Sequence, residues 1–247
     1  MNLYYIYLGL DYNDYIMKNN ELRYEFQKKT SFINDYFSKK ARKLSFKTDG
    51  TFNMISISPS EFVFNSKKYV PSDVLDVHLP FDRNRYDKIK NAYDCSYYLE
   101  LLEQGFKKAA EFKEIPLKSL LNIIEEFKQD GCINKWLHKK KRFKDDDLEI
   151  VLDCEFTAIC FQLVLSINQI STKKNLVKGV IMRTEVGVSI HQGMYKDILI
   201  DNDDNIIITD RSDSPRIEIN KNKVLKGILD FKILGDKEII EMLSYKI

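Results

Sequence analysis

Apolar residues recur every three or four positions in three stretches of this chain, and every second position in much of the rest. From Glu21 to about Leu44, the positions Leu22, Phe26, Ile33, Phe37 and Leu44 fall at helical spacing. This predicts a long amphipathic helix. Its last turns are basic (Lys39, Lys40, Arg42, Lys43), the sign that suits the helix dipole there. Ahead of it, residues 3–10 read as a first strand, with residues 12–17 continuing or pairing with it. Phe52–Ser58, Glu61–Asn65 and Val74–Leu79 are short, rich in β-branched and aromatic residues, and bounded by Pro, Ser or Asn, as strands are. His78 on the last of these is expected to face solvent. Asp82–Lys113 is helical again, with Tyr86, Ile89, Tyr93, Tyr97, Leu101 and Leu102 on one side. Pro116 opens another helix, with Leu117, Leu120, Leu121, Ile124 and Phe127 as its buried stripe and Gly131 as its stop.

Period two takes over after Gly131. Leu148, Ile150, Leu152, Cys154, Phe156 and Ala158 alternate with Glu149, Val151, Asp153, Glu155 and Thr157. The apolar phase then slips to Ile159, Phe161, Leu163, Leu165 and Ile167, which predicts a bulge or turn near Thr157–Cys160. A helix also fits part of this run, but its β-branched and aromatic content favours strands. Further strands are expected at Leu176–Thr184, Val186–His191, Lys196–Ile200, Ile206–Thr209, Arg216–Ile219 and Ile228–Leu234. Asp201–Asn205 reads as a hairpin loop and Asp236–Tyr245 as a closing helix. The fold class is therefore α+β: a mixed N-terminal α/β part with long helices, then a mainly antiparallel β C-terminal half. A single two-lobed domain over residues 1–247 is expected, with any boundary falling between Glu114 and Gly131.

Composition narrows the class. The 247 residues are 44% hydrophobic and 31% charged, as in globular proteins that bury a sizeable core. No apolar run reaches the length of a membrane span, and the N-terminus lacks the features of a signal peptide. Cys95, Cys132, Cys154 and Cys160 form no CxxC pair, so they read as four reduced, small apolar residues in a cytoplasmic protein without a cofactor. Lysine far exceeds arginine and Asn, Ile and Tyr abound, the usage of an AT-rich, low-GC bacterial genome. Residues 1–144 hold 26 Lys and Arg against 19 Asp and Glu, a net of +7, whereas residues 145–247 carry −5. Such a charge split steers charged partners unless folding intermixes the two signs.

Common catalytic signatures are absent: no phosphate-binding glycine loop, no GxSxG elbow, no HExxH and no kinase set. His191, beside Gln192 and Gly193, ends an expected strand where backbone approaches a ligand most easily. Asp230-Phe231-Lys232, with Asp210 upstream, has the acid-x-lysine pattern of metal-dependent nucleases, in which carboxylates hold the cation and lysine polarises the attack. The Asp201–Asn205 loop lacks the glycine and the twelfth-position acid of a calcium-binding EF-hand. Trp136 and the run Lys139, Lys140, Lys141 and Arg142, reaching to Lys144, would suit nucleic acid by phosphate contact and base stacking. Asp145, Asp146 and Asp147 follow at once and would neutralise it, leaving a charged edge strand. Twelve of the fourteen tyrosines lie in the first hundred residues, where exposed ones would favour an interface.

A sizeable core, charges split by sign, many tyrosines and no catalytic kit favour binding over catalysis. In this texture the chain is similar to immunity proteins of polymorphic toxin systems, a likeness that no single motif carries. It implies an intracellular inhibitor that binds a protein partner, a cognate toxin. Asp201, Asp203 and Asp204 are the first candidates to meet a basic toxin, with Asp145, Asp146 and Asp147 second. Trp136, Lys139, Lys140, Lys141 and Arg142 are the candidates for an acidic partner. A metal-dependent nuclease using Asp210, Asp230 and Lys232, or a nucleic-acid-binding module on residues 136–144, are the alternatives.

Overall fold

The computed structural model describes residues 1–62, 72–92, 94–187 and 195–246. The chain divides into two compact units, residues 1–134 with 157–159, and residues 135–156 with 160–247. The N-terminal unit mixes helices with a parallel sheet and the C-terminal unit is mainly antiparallel, so the structure is α+β as the periodicities predict.

In the first unit, β1 (Tyr5–Leu8), β2 (Met54–Ser60) and β3 (Val74–Pro80) form a parallel sheet in that order. Alternation gives the sheet two unlike faces. Ile6, Leu8, Ile55, Ile57 and Val77 are buried on one. That face receives α4 (Ser96–Phe112) at close range: a Cβ on Gly105 would lie 2.5 Å from the Ile57 side chain. Phe127 of α5 (Leu117–Gln129) then closes a ring cluster with Phe32, Tyr36 and Phe37 of α2 (Asn20–Leu44). Tyr7, Met54, Ser56, Ser58, Asp76 and His78 alternate with these residues and so stand on the opposite face.

The free edge of β1 is covered by α2. Ser38 Oγ accepts from the Ile6 amide at 3.0 Å and donates to the Ile6 carbonyl at 3.1 Å. Asn34 accepts from the Leu8 amide and donates to the Leu8 carbonyl, which Thr30 Oγ1 also reaches. A sheet edge left bare invites pairing with another chain, and here helical side chains at spacing four occupy it.

Several expectations are corrected in this unit. Residues 12–15 form a short helix, α1 (Tyr12–Tyr15), because the Asp11 side chain caps the Asp14 amide at 2.9 Å and turns the chain away from the strand. The helix expected over 82–113 is two, α3 (Arg83–Ile89) and α4. A turn intervenes, and the Asp94 carboxylate accepts from the Ser96 amide to start the second. β2 ends at Ser60 and residues 61 and 62 are not strand, while residues 63–65 lie outside the described residues. Cys95 and Cys132 are joined by a disulfide, so only Cys154 and Cys160 are the buried free thiols expected of all four. Pro116 and Gly131 mark the ends of α5 as predicted, Gly131 with a left-handed φ of 71°.

In the second unit, β4 (Asn134–Phe143), β5 (Leu148–Phe156), β6 (Cys160–Gln169) and β7 (Asn175–Glu185) form one sheet in sequence order. β8 (Asp197–Ile200), β9 (Asn205–Thr209), β10 (Pro215–Asn220) and β11 (Phe231–Ile233) form another. The phase slip after Phe156 is a turn: Phe156 pairs with Phe161 across it. β5 alternates buried and half-buried residues without a break, which decides against a helix there. The strand expected at 228–234 is shorter. A helical turn, α6 (Lys221–Val224), runs into Gly227 with φ 79°, and pairing begins only at Phe231. Val186 and Gly187 follow β7 in a turn, and the rest of the strand expected to His191 lies outside the described residues. α7 (Lys237–Leu243) is the closing helix. No described helix is long and apolar enough to cross a membrane.

Candidate functional site

The acidic candidates fall on two tight turns of the second unit. Asp201 uses one carboxylate oxygen to accept from the amides of Asp203, at 3.0 Å, and Asn205, at 2.8 Å, which fixes the β8–β9 loop. Asp204 and Asp146 converge on the buried ammonium of Lys221, the latter at 2.6 Å. Asp147 accepts from the Ser171 amide at 2.8 Å. Asp203 and Asp145 are exposed. The loop is thus held by its own backbone and by a lysine, and strands flank it as expected.

The basic run is the edge strand β4, and its cations meet acids. Lys139 and Lys141 lie 3.2 and 3.1 Å from Asp197, while Lys140 and Arg142 lie 2.9 and 2.6 Å from Glu149. Burial would raise the Asp197 pKa, but the Ile198 amide, Lys141 and Lys139 outweigh it and hold it at about 2. Trp136 is half-buried, 6.1 Å from the Phe161 ring. His138 packs edge-on to Tyr195 at 4.3 Å, with Nε2 2.9 Å from the Tyr195 carbonyl. Burial lowers the His138 pKa more strongly than that carbonyl raises it, and Lys139 adds to the lowering.

The Asp210, Asp230 and Lys232 trio is not assembled. Asp210 follows β9, accepts from the Ser212 and Ser214 amides and pairs with Arg216. The Asp230 carbonyl accepts from Asn220 at the other end of β10, and its carboxylate pairs with Lys223. About 20 Å of strand, at ~3.4 Å per residue, separates the two acids. Lys232 pairs with Glu218 across the β10–β11 ladder. His191, with Gln192 and Gly193, lies outside the described residues.

A cluster that the sequence reading passed over sits on the second face of the parallel sheet. His78 does not point freely to solvent. Its Nδ1 lies 3.1 Å from Asp11 Oδ2 and its Nε2 lies 3.1 Å from Asp76 Oδ2. Hydrogen bonds that His78 donates to Asp11 and then to Asp76 outweigh partial burial and push its pKa up to about 9, so the imidazole is charged at neutral pH. The other oxygens of both carboxylates are already engaged: Asp11 Oδ1 accepts from the Asp14 amide, and Asp76 Oδ1 from Ser58 Oγ at 2.5 Å. The cluster borders a cavity of about 310 Å³ whose lining includes Tyr7, Tyr12, Arg23, Ser56, Asp11 and Asp76. Asp76-Val77-His78 on one strand was the legible signal, since residues two apart share a face. The contribution of Asp11 required knowing that β1 lies two strands from β3 in a parallel sheet.

Tyr12, in the lining of this cavity, and Tyr24 on α2 are 59% and 52% exposed. The Arg23 guanidinium lies between them, 5.2 Å from the Tyr12 ring and 4.3 Å from the Tyr24 ring, with its Nε held by Asn20 at 2.9 Å. Tyr15, Tyr36, Tyr86, Tyr97 and Tyr98 are buried instead, so the tyrosine-rich region divides between core and surface. Comparison with protein families, curated proteins and solved structures finds no match to this chain.

Proposed function

We propose that this chain is a bacterial, cytoplasmic, protein-binding inhibitor, an immunity protein that neutralises a cognate toxin by occupying its surface. The observation that carries this reading is the Tyr12–Arg23–Tyr24 stack. Tyrosine is among the residues that most often anchor protein interfaces, and rings held by a buried arginine lose less freedom on binding. The stack is exposed through its two rings, beside a cavity able to receive a partner side chain. Asp201, Asp203, Asp204 and Asp145 to Asp147 remain the proposed contacts for a basic partner, and Trp136 with Lys139 to Arg142 those for an acidic one. Ion pairing within the unit weighs against nucleic acid on β4, because each of those four cations already faces a carboxylate.

The test is capture of partners by the tagged full chain in its native cell, with and without nuclease, followed by mass spectrometry. A stoichiometric protein that survives nuclease treatment is expected. Tyr12→Ala and Tyr24→Ala should each weaken its binding by about 2 kcal/mol or more, roughly thirtyfold. Recovery of nucleic acid alone, or of no partner, would overturn the reading.

A further inference from the structure

We propose that Asp11, Asp76 and His78 form a divalent-cation site, suited to an ion such as Mn²⁺ or Zn²⁺ that accepts carboxylate and imidazole together. One ligand atom from each residue falls in a group whose members all lie within 4.8 Å of one another. Metal–ligand bonds of about 2.0–2.2 Å place neighbouring ligand atoms roughly 3–4 Å apart, so small side-chain movements bring all three onto one ion. To ligate, His78 releases one proton to solvent, gives up its hydrogen bond to one carboxylate and presents that nitrogen as a neutral donor.

Three features separate this cluster from a solvated group of acids. Asp11 is 2% exposed, so one of the carboxylates is withdrawn from solvent. Each carboxylate has one oxygen fixed by a donor of the fold, the Asp14 amide or Ser58 Oγ, and turns the other toward the His78 ring, Asp11 to Nδ1 and Asp76 to Nε2. Outer-shell donors orient ligating carboxylates in this way. The cluster also opens on the cavity of about 310 Å³, which leaves room for water or an exogenous ligand to complete the coordination sphere. A site with three protein ligands and an open position is of the kind that presents the ion to a bound molecule. Arg23 lines the same cavity, so an anionic group on that molecule would meet a second positive charge. The donor set also restricts the ion. Two carboxylates and one imidazole include no thiolate, which argues against Cu⁺, and the imidazole argues against Ca²⁺, which takes oxygen donors.

The site is tested on the full chain after chelator treatment and dialysis. Mn²⁺ is titrated by electron paramagnetic resonance and Zn²⁺ by calorimetry. One equivalent of saturable binding is expected, weakened at least about tenfold to a hundredfold by Asp76→Asn and by His78→Gln. Glu238→Gln, an exposed position in the other unit, should leave it unchanged. In the unaltered protein, less than one equivalent of Mn²⁺ should broaden the ring resonances of His78, which keeps the test valid if a variant fails to fold. No saturable binding below about 1 mM ion, no broadening of the His78 ring, or full affinity in the folded variants would each overturn the proposal.

Discussion

Ser38 meets Ile6 as a neighbouring strand would, accepting from its amide and donating to its carbonyl through one hydroxyl. Ser38→Ala removes both partners from backbone groups that are otherwise buried. The expected loss is about 1–3 kcal/mol, the cost of leaving such groups unpaired. Chemical denaturation should show a lower midpoint with little change in slope, because the unfolded chain is the same.

The two described histidines should give stability opposite dependences on pH. His78 has a raised folded pKa of about 9, so its contribution is complete below about 6.5 and is lost as pH rises through 9. Asp11 and Asp76 are the charges that face it. At ~1.4 kcal/mol per unit, reduced for the part of the ring open to solvent, the effect is about 1–3 kcal/mol. His138 has a lowered folded pKa, so its contribution is complete above about 6.5 and is lost as pH falls through the lowered value. Urea unfolding from pH 5 to 10 with chelator present checks both. His78→Gln should flatten the alkaline side and His138→Gln the acid side.

Gly105→Ala should destabilise the first unit although alanine is the better helix former. The new Cβ would sit 2.5 Å from Ile57, in a face already packed. Overpacking costs about 1–3 kcal/mol against about 1 kcal/mol of helix propensity gained. A double variant with Ile57→Val should recover part of the loss, read by thermal unfolding.

The disulfide between Cys95 and Cys132 closes a loop over 37 positions. Replacing both cysteines by serine should cost about 2–4 kcal/mol in protein purified under oxidising conditions. Alkylation and mass measurement of the denatured protein, with and without reductant, counts the bonded thiols. Cys154 and Cys160 should resist labelling until the fold is lost, because both are buried.

Regular elements were legible wherever one period held over many residues. The alternation from Leu148 to Phe156 and the helical stripe of α5 are there in outline because burial alone selects those residues. The errors lie where short polar contacts decide. The Asp11 cap turned an expected strand into α1, and the Asp94 bond to Ser96 split a helix whose apolar face looked continuous. The Cys95–Cys132 pair was illegible because proximity across α4 and α5 is tertiary. The site was half-visible: Asp76 and His78 share a face by strand geometry, but Asp11 joins them only through sheet order. The charge split between the halves did not locate a surface, since Lys139 to Arg142 find their acids within the same unit.

The covering of β1 by α2 sets a length limit. Successive contacts step back four residues along the helix, from Ser38 to Asn34, and forward two along the strand, from Ile6 to Leu8. Four helical residues rise about 6.0 Å and two strand residues about 6.6 Å. The two scales work as a vernier that drifts by roughly 0.6 Å at each rung, and after three rungs the mismatch approaches 2 Å, too much for a hydrogen bond. A straight helix can therefore stand in for a strand only along a short edge, and the four residues of β1 stay within that reach. Two residues inserted into β1 would extend the edge past its cover and expose backbone donors that another chain could pair with.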